Sequence, residues 1–430
     1  VLAAFAVAAC GGSARLPIEA GIGPHPTLPP PETSLIPTVK VAEARGWRAG
    51  EKPTPGAGLA VNAFATGLDH PRFVYVLPNG DVLVAETNAP PRPEDSKGIR
   101  GWFFRRFQKK AGGAVPSANR ITLLRDADGD GSAELRTVLL DSLMSPFGIA
   151  LVGDDLYVAN SDALVRAPYR RGDTRIASRP VKVIDLPAGP INHHWTKNVV
   201  ANPGGSLLYV AVGSNSNAGE NGIDKEEGRG AVWEVNPVSG AHRVFASGMR
   251  NPVGMSWEPQ RGALWVSVNE RDELGSDLVP DYMTAIRDGA FYGFPYFYYG
   301  DHADTRFTGT APSILPRVSV PDYALGSHTA SLGLAFARGS SLPAPFSNGA
   351  FVGQHGSWNR KPQSGYKVVF VPFADGQPAG APIDVLTGFL DGDGHARGRP
   401  VSVAIDGRGA LLVADDVGNT IWRVTRAPTP

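Results

Sequence analysis

One hairpin recurs about six times along this 430-residue chain, and that repetition restricts the fold more than any other feature. Each copy has a loop pair, a short run of alternating apolar residues, a Gly- or Pro-containing turn, and a β-branched strand ending in a polar residue. The copies are His70–Glu86, Ser145–Asn160, Thr196–Gly213, Asn251–Asn269, Ser331–Phe336 continuing to Gly349–Gly353, and Arg399–Asp415. The turn chemistry makes each an antiparallel hairpin. The 52 glycines and 38 prolines punctuate these runs instead of clustering, which argues for many short strands and against low complexity. Radial repetition protects strand edges, so the pattern predicts an all-β propeller with four-stranded antiparallel blades. Uneven spacing predicts inter-blade insertions, and by itself allows five, six or seven blades. Open sandwiches and solenoids are the competing architectures. In a propeller the starts of the repeated strands ring a central channel, so functional residues are expected just before those strands or just after their partners.

Basic and acidic residues balance at 41 each, which gives no global field for nucleic acid or an anionic membrane. The lone cysteine, Cys10, excludes disulfides within the chain, c-type haem attachment and thiolate metal clusters. It closes an apolar run, Val7-Ala-Ala-Cys10, that resembles a bacterial lipobox. With neither Met nor a basic segment ahead of it, the run reads as the remnant of a lipoprotein signal; a frayed apolar terminus is the alternative. The expected organisation is a signal remnant over 1–10, a Pro-rich tether over 11–57 and the propeller over 58–426. The expected location is the bacterial cell envelope, as a periplasmic lipoprotein touching the membrane only through its N-terminal lipid.

His193 and His194 stand just before the third copy, and Arg250-Asn251 occupies the same place before the fourth. Imidazole titrates near neutral pH and suits a general base, although a histidine pair reads equally as solvated or satisfied in the core. After the fourth copy come Asn269, Asp272, Asp277 and Asp281, hard oxygen donors in one stretch; they suit calcium or a solvated acidic loop. Asp126–Glu134 opens like a calcium loop but has Thr137 at its twelfth position, so it reads as a hairpin turn, as does Asp391–His395. His328, His355, Trp358, Arg360 and Arg399 flank the last two copies. Arginine forks suit carboxylates and aromatic rings suit flat ligands, so the set points to a planar anion, with surface ion pairing the alternative for each arginine. Arg100–Lys110 mixes aromatic and basic residues and reads as a short amphipathic helix or a docking segment. No Gly-rich phosphate cradle and no Gly-x-Ser-x-Gly elbow is present, which leaves nucleotide cofactors and serine hydrolysis unsupported.

Gly248-Met-Arg-Asn-Pro-Val-Gly254, Asp281-Tyr-Met ahead of Gly289-Ala-Phe-Tyr-Gly-Phe-Pro295, and the histidine-bearing start of the third copy resemble the soluble glucose and sorbosone dehydrogenases that use pyrroloquinoline quinone and calcium, particularly the sorbosone branch. The resemblance spans about Asn62 to Val424. It implies six blades and oxidation of an aldose, a sugar aldehyde or a related alcohol. It implies His194 as the base and Arg250 beside the reacting quinone carbonyl. His193, Asn251, Asn269, His328, His355, Trp358, Arg360 and Arg399 are implied around the cofactor, and Asn269, Asp272, Asp277 and Asp281 around calcium. An external acceptor, a respiratory quinone or a cytochrome, then takes the electrons. Two departures stand out: Pro400 follows Arg399 where the family has aspartate, and Ser145–Gly148 stands where it has a glutamine. A calcium-dependent propeller lactonase and a non-catalytic glycan- or protein-binding propeller are the alternative readings.

Overall fold

The computed structural model describes residues 11–34, 38–91, 106, 109–307, 309, 311 and 317–428. Each repeated hairpin forms the two inner strands of a four-stranded antiparallel blade. The first blade is Pro71–Val76, Val82–Glu86, Arg120–Arg125 and Leu135–Leu140. The second is Ile149–Val152, Asp155–Ala159, Ala163–Pro168 and Val181–Asp185. The third is Lys197–Ala201, Leu208–Val212, Ala231–Val235 and His242–Ser247. The fourth is Pro252–Trp257, Leu264–Val268, Pro280–Ala285 and Tyr323–Ser327. The fifth is Ser331–Phe336, Gly349–Gln354, Lys367–Ala374 and Ile383–Thr387. The sixth is Pro400–Ile405, Leu411–Asp415 and Thr420–Arg426, completed by Leu59–Ala65 from the other end of the chain.

Innermost strands of successive blades pack in sequence, and that of the sixth meets that of the first, which closes a six-bladed ring. Second strands such as Val82–Glu86, Leu208–Val212 and Leu411–Asp415 are buried along their whole length, because neighbouring blades cover both faces. Outer strands such as Val181–Asp185 are largely exposed.

The two longest insertions lie inside blades and not between them. Residues 87–119 separate the second and third strands of the first blade; residues 286–322 separate the third and fourth strands of the fourth and carry the ribbon Phe297–Tyr298 with His302–Ala303. The repeat marks only the inner hairpin of each blade, so a gap before the next copy looks the same whether it falls within a blade or after it. Arg100–Arg105, Phe107 and Gln108 of the basic-aromatic segment lie outside the described residues, as does Cys10.

Residues expected to form a tether pack along the propeller as a strap. Ile22–Gly23 adds a fifth strand to the fourth blade and Thr54–Pro55 one to the fifth. Between them, Lys40 donates its backbone N–H to Trp358, Arg45 donates to Ala396, and the Trp47 indole donates to Asp415 at 2.7 Å. Proline removes donors without preventing strand-edge pairing at neighbouring residues, so a Pro-rich segment can lie flat on a surface.

Along the axis, Phe147, Val253, Leu332 and Val401 from four blades form a buried apolar plug against Phe73. A cavity of about 360 Å³ lies among the innermost strands and is lined by residues such as Tyr75, Ala150, Met255 and Ala404. The entries to the innermost strands are clustered around the plug.

Candidate functional site

The entry to the third blade carries His193 and His194, whose rings meet edge to face with centroids 4.7 Å apart. His194 Nδ1 lies 3.0 Å from the Ser214 carbonyl and 2.9 Å from Ser214 Oγ, and Ser214 Oγ donates to the Ser216 carbonyl. A carbonyl only accepts, so the proton sits on Nδ1 and the lone pair on Nε2. The tautomer a base needs is thus set by backbone. Ser214 N–H in turn donates to the Arg250 carbonyl, joining this turn to the entry of the fourth blade. Gly213 makes the approach possible: a Cβ there would strike both His194 and the Asn251 side chain.

Arg250 is buried, with side-chain donors on the carbonyls of Asn217, Asn269 and Glu270, on Asn217 Oδ1, and on Asp272 at 3.2 Å. Asp272 also meets His328 Nδ1 at 3.2 Å, and His328 Nε2 reaches the Gly275 carbonyl. Burial opposes ionisation of Asp272, but the bond to His328 and the charges of Arg250 and Arg306 outweigh it and hold its carboxyl below the usual range. His193, His194, Arg250, Asn251, Asn269, Asp272 and His328 are therefore joined through a short set of contacts at one end of the ring, with Asn269 N–H donating to the Asn251 carbonyl. Entries to the first, second, third and fifth blades hold His70, Ser145, Asn192 and His328 in the left-handed backbone region, a conformation that concentrates at functional sites.

A second group gathers where the sixth blade meets the first. Arg399 donates its backbone N–H to Asp415, and its guanidinium lies over the Tyr366 ring and reaches Tyr366 Oη and the Ala42 carbonyl of the strap. His355 Nε2 contacts both oxygens of Asp416, at 3.1 and 2.9 Å. Burial pushes His355 down to about 4 in spite of Asp416, so the ring is neutral at neutral pH and donates to the carboxylate. Sequence reasoning missed three members of this group. Arg72 Nη1 binds Asp416 at 2.6 Å, and His70 Nδ1 lies 3.1 Å from the Asp416 carbonyl. Asp416 works against burial, yet His355, His70 and Arg72 hold it well below the carboxylate range. The signal was present: His70 and Arg72 flank the start of the first copy as Arg250 and Asn251 flank the fourth, and Asp416 follows the last copy's second strand. The Arg72 guanidinium sits 5.7 Å from the centre of the Trp195 ring, which packs edge-on against Phe147 of the plug and links the two groups.

Trp358 and Arg360 turn toward the strap. Trp358 is 37% exposed and accepts from Lys40, while Arg360 reaches the carbonyls of Pro362 and Leu16 and pairs with Asp277 at 3.6 Å.

The four oxygen donors expected around calcium are not brought together. Asp281 is buried with Oδ1 accepting from Glu270 N–H and Oδ2 from Ser331 N–H and Thr329 Oγ; burial raises it to about 6. It ties the fourth blade to the entry of the fifth. Asp277 accepts from Arg15 and Leu16 backbone N–H and belongs to the strap. Asp272 pairs with Arg250 and His328. These side chains do not fit a calcium cage. Asp126, Asp128, Asp130 and Glu134 do converge, in the turn between the last two strands of the first blade, where Arg408 pairs with Asp126 at 2.9 Å.

A flat anionic cofactor fits better. Among the described residues, Asn251 Oδ1 at the entry to the fourth blade and Arg399 Nε at the entry to the sixth are buried without a hydrogen-bond partner, and buried polar atoms left unsatisfied invite a ligand group.

A family model described as a domain of unknown function (DUF7133) matches residues 68–357, and one described as TrAA12-like matches residues 314–427. The chain is 28% identical over 296 residues to an uncharacterized protein of Borreliella burgdorferi, covering 66% of this chain and 76% of that one. It is 23% identical over 338 residues to aldose sugar dehydrogenase YliI of Escherichia coli, covering 72% and 80%. Among solved structures, a Trichoderma reesei carbohydrate-active enzyme of family AA12 superposes with a TM-score of 0.69 at 17% identity, covering 91% of this chain and all of that one. The holo pyranose dehydrogenase PQQ domain from Coprinopsis cinerea superposes with a TM-score of 0.67 at 20% identity, covering 90% of this chain and 100% of that one. At such identities the structural likeness carries the six-bladed fold.

Proposed function

This chain belongs to the DUF7133 family, and we propose that it is an oxidoreductase acting on a sugar with pyrroloquinoline quinone as its cofactor. The observation that carries the reading is the convergence at one channel end of a histidine with its Nε2 lone pair set by backbone, a buried arginine beside it, and further buried cations across the mouth. The printed activities of YliI and of the Coprinopsis domain support the same class. Bound across the mouth, the quinone would supply a carbonyl carbon that accepts hydride.

The chain's own residues then have defined tasks. His194 Nε2 takes the proton of the substrate hydroxyl, and Nδ1–H on the Ser214 carbonyl keeps the ring aimed. Arg250, fixed by carbonyls and Asp272, presents positive charge where negative charge develops, without reorganising. Asn251 offers its amide oxygen beside it, and Arg399 faces the anionic end of the ligand. The apolar plug of Phe147, Val253, Leu332 and Val401 keeps water from entering along the axis. Calcium enters no step, because the carboxylates of residues 272, 277 and 281 are committed elsewhere. The finer proposals are a sorbosone-like sugar aldehyde or an aldose as substrate, transfer of electrons to an external respiratory quinone or cytochrome, and an envelope lipoprotein anchored at Cys10, a residue outside those described.

Reconstitution with pyrroloquinoline quinone, with and without calcium, followed by dye reduction across sugars and sorbosone, tests the reading. Quinone-dependent dye reduction is expected. His194→Ala should lower turnover by about 10²- to 10⁴-fold while retaining the quinone. A wild type that shows no quinone binding and no dye reduction would overturn the function; full turnover in His194→Ala would overturn the base.

A further inference from the structure

Lys197 opens the innermost strand of the third blade, just after His194, and its side chain is fully buried. The innermost strands of the other blades open on uncharged residues, Pro71, Ile149, Pro252, Ser331 and Pro400. An ammonium taken out of water is costly unless its hydrogens are well placed, so a lysine here calls for a task.

Its contacts point to the turn that carries the base. Lys197 Nζ donates to Asn192 Oδ1 at 3.3 Å, to the His194 carbonyl at 3.2 Å and to the Trp195 carbonyl at 3.4 Å. An ammonium has three hydrogens, and these three acceptors are neutral oxygens of one four-residue turn. The charge is therefore fixed in place and is not cancelled by those bonds. Asn192 sits in the left-handed backbone region, and its Oδ1 also accepts from Arg229, which reaches the Gly213 and Ala188 carbonyls as well. His194 is thus held from two sides, its ring by Ser214 and its backbone by Lys197.

The other charged and titratable groups around this turn are committed. Glu226 accepts from Asn215 N–H and Ser216 Oγ, and Glu220 from the N–H groups of Asn217 and Ala218. Asp272 is spent on Arg250 and His328, and Arg72, over the Trp195 ring, is answered by Asp416. His193 meets the His194 ring edge-on.

We propose that Lys197 is a positioning residue that sets the protonation of His194 as well as its place. A fixed positive charge beside the turn disfavours the imidazolium form, because like charges oppose each other's ionisation. The ring stays neutral, with Nε2 open to a proton, at neutral pH and somewhat below it. The use of that lone pair as a base rests on the function proposed above; the effect of the lysine on the ring does not.

The test titrates His194 directly. Its ring Cε1–H signal, assigned by its loss in His194→Ala, is followed by NMR in histidine-labelled protein without quinone, for wild type, Lys197→Met and Lys197→Arg. Wild-type His194 should titrate below the ordinary histidine value of about 6.5. Lys197→Met, which keeps most of the length without the charge, should raise that midpoint by about 1 unit. Lys197→Arg keeps the charge and should move it by no more than about a few tenths of a unit. With quinone and sugar present, the acid limb of kcat/KM should move to higher pH by the same amount in Lys197→Met. A lysine that only braced the turn would lower kcat/KM at every pH and leave both midpoints where they were. A wild type that shows the NMR shift but no quinone-dependent turnover removes the proposed function and keeps the role of Lys197. If Lys197→Met fails to fold, Lys197→Gln, which still donates to the same oxygens, carries the titration. A wild-type midpoint at or above the ordinary value, or an unchanged midpoint in the folded neutral variant, would overturn the proposal.

Discussion

His355 and Asp416 show how burial turns an ordinary ion pair into a pH-sensitive element. Burial drives His355 from its ordinary 6.5 down to about 4, so between those values the unfolded chain holds a proton that the folded chain lacks. The stability associated with the neutral ring is therefore present above about pH 6.5 and lost as pH falls toward 4. Asp416 acts with the same sign lower down: held far below 3.8 in the fold, it contributes stability above that value that is lost on further acidification. The histidine contribution is on the order of 3 kcal/mol, from about 1.4 kcal/mol per pKa unit. Replacing His355 with Gln keeps a side-chain amide donor and removes the titration. Unfolding midpoints in denaturant between pH 7 and 4 should decline less steeply for the variant; parallel curves would show that His355 is not the sensitive group. The His355 imidazole was visible in the sequence as a polar residue after a repeated strand. Its neutrality was not, because burial sets it, and the elements that bury it, like the Asp416 it meets 61 residues away, are brought there only by the fold.

Blade packing places its tightest demand on glycines of the fifth blade. At Gly333 and at Gly353, a Cβ would collide with the backbone carbonyl of Val401 in the innermost strand of the sixth. These residues allow one sheet to approach the backbone of the next, and Val401 is part of the plug that floors the site. Gly333→Ala should destabilise by about 1–3 kcal/mol through overpacking. It should also weaken quinone or sugar binding, because the neighbouring Arg399 moves with Val401; chemical denaturation and ligand titration measure the two effects. Stability within a few tenths of wild type would mean that the blades separate at little cost. The repeat made both strands predictable, and Gly333 appeared within one. Which carbonyl it faces depends on the crossing of two sheets, and no local pattern encodes that crossing.

Closure of the ring depends on a strand from the far end of the chain. Leu59–Ala65 completes the sixth blade by pairing antiparallel with Thr420–Arg426, with Val61 opposite Val424. Val61 is buried, and proline there would remove backbone freedom and clash in the ladder. Val61→Pro should cost about 1–3 kcal/mol, and the thermal unfolding midpoint should fall for the whole propeller together. A separate early transition confined to the sixth blade would instead show that the ring does not unfold as a unit. The strap belongs to the same scale, since it crosses from the fourth blade to the sixth and contributes Ala42 and Trp47 to the setting of Arg399.

The amino-acid order by itself determined the hairpin and its repetition, and through them the placement of His70, His194, Arg250, His328 and Arg399 at strand entries around one axis. Alternation and turn chemistry are local, and local forces suffice to express them. Only the tertiary structure decided which of those side chains meet. Asn269, Asp272, Asp277 and Asp281, neighbours in sequence, were drawn apart to Asn251, to Arg250 and His328, to the strap and to the fifth blade. His70 and Asp416, 346 residues apart, were brought together because ring closure joins the first blade to the last. Hydrogen bonds and charges act through space, and in a closed ring the shortest path through space is often the longest along the chain.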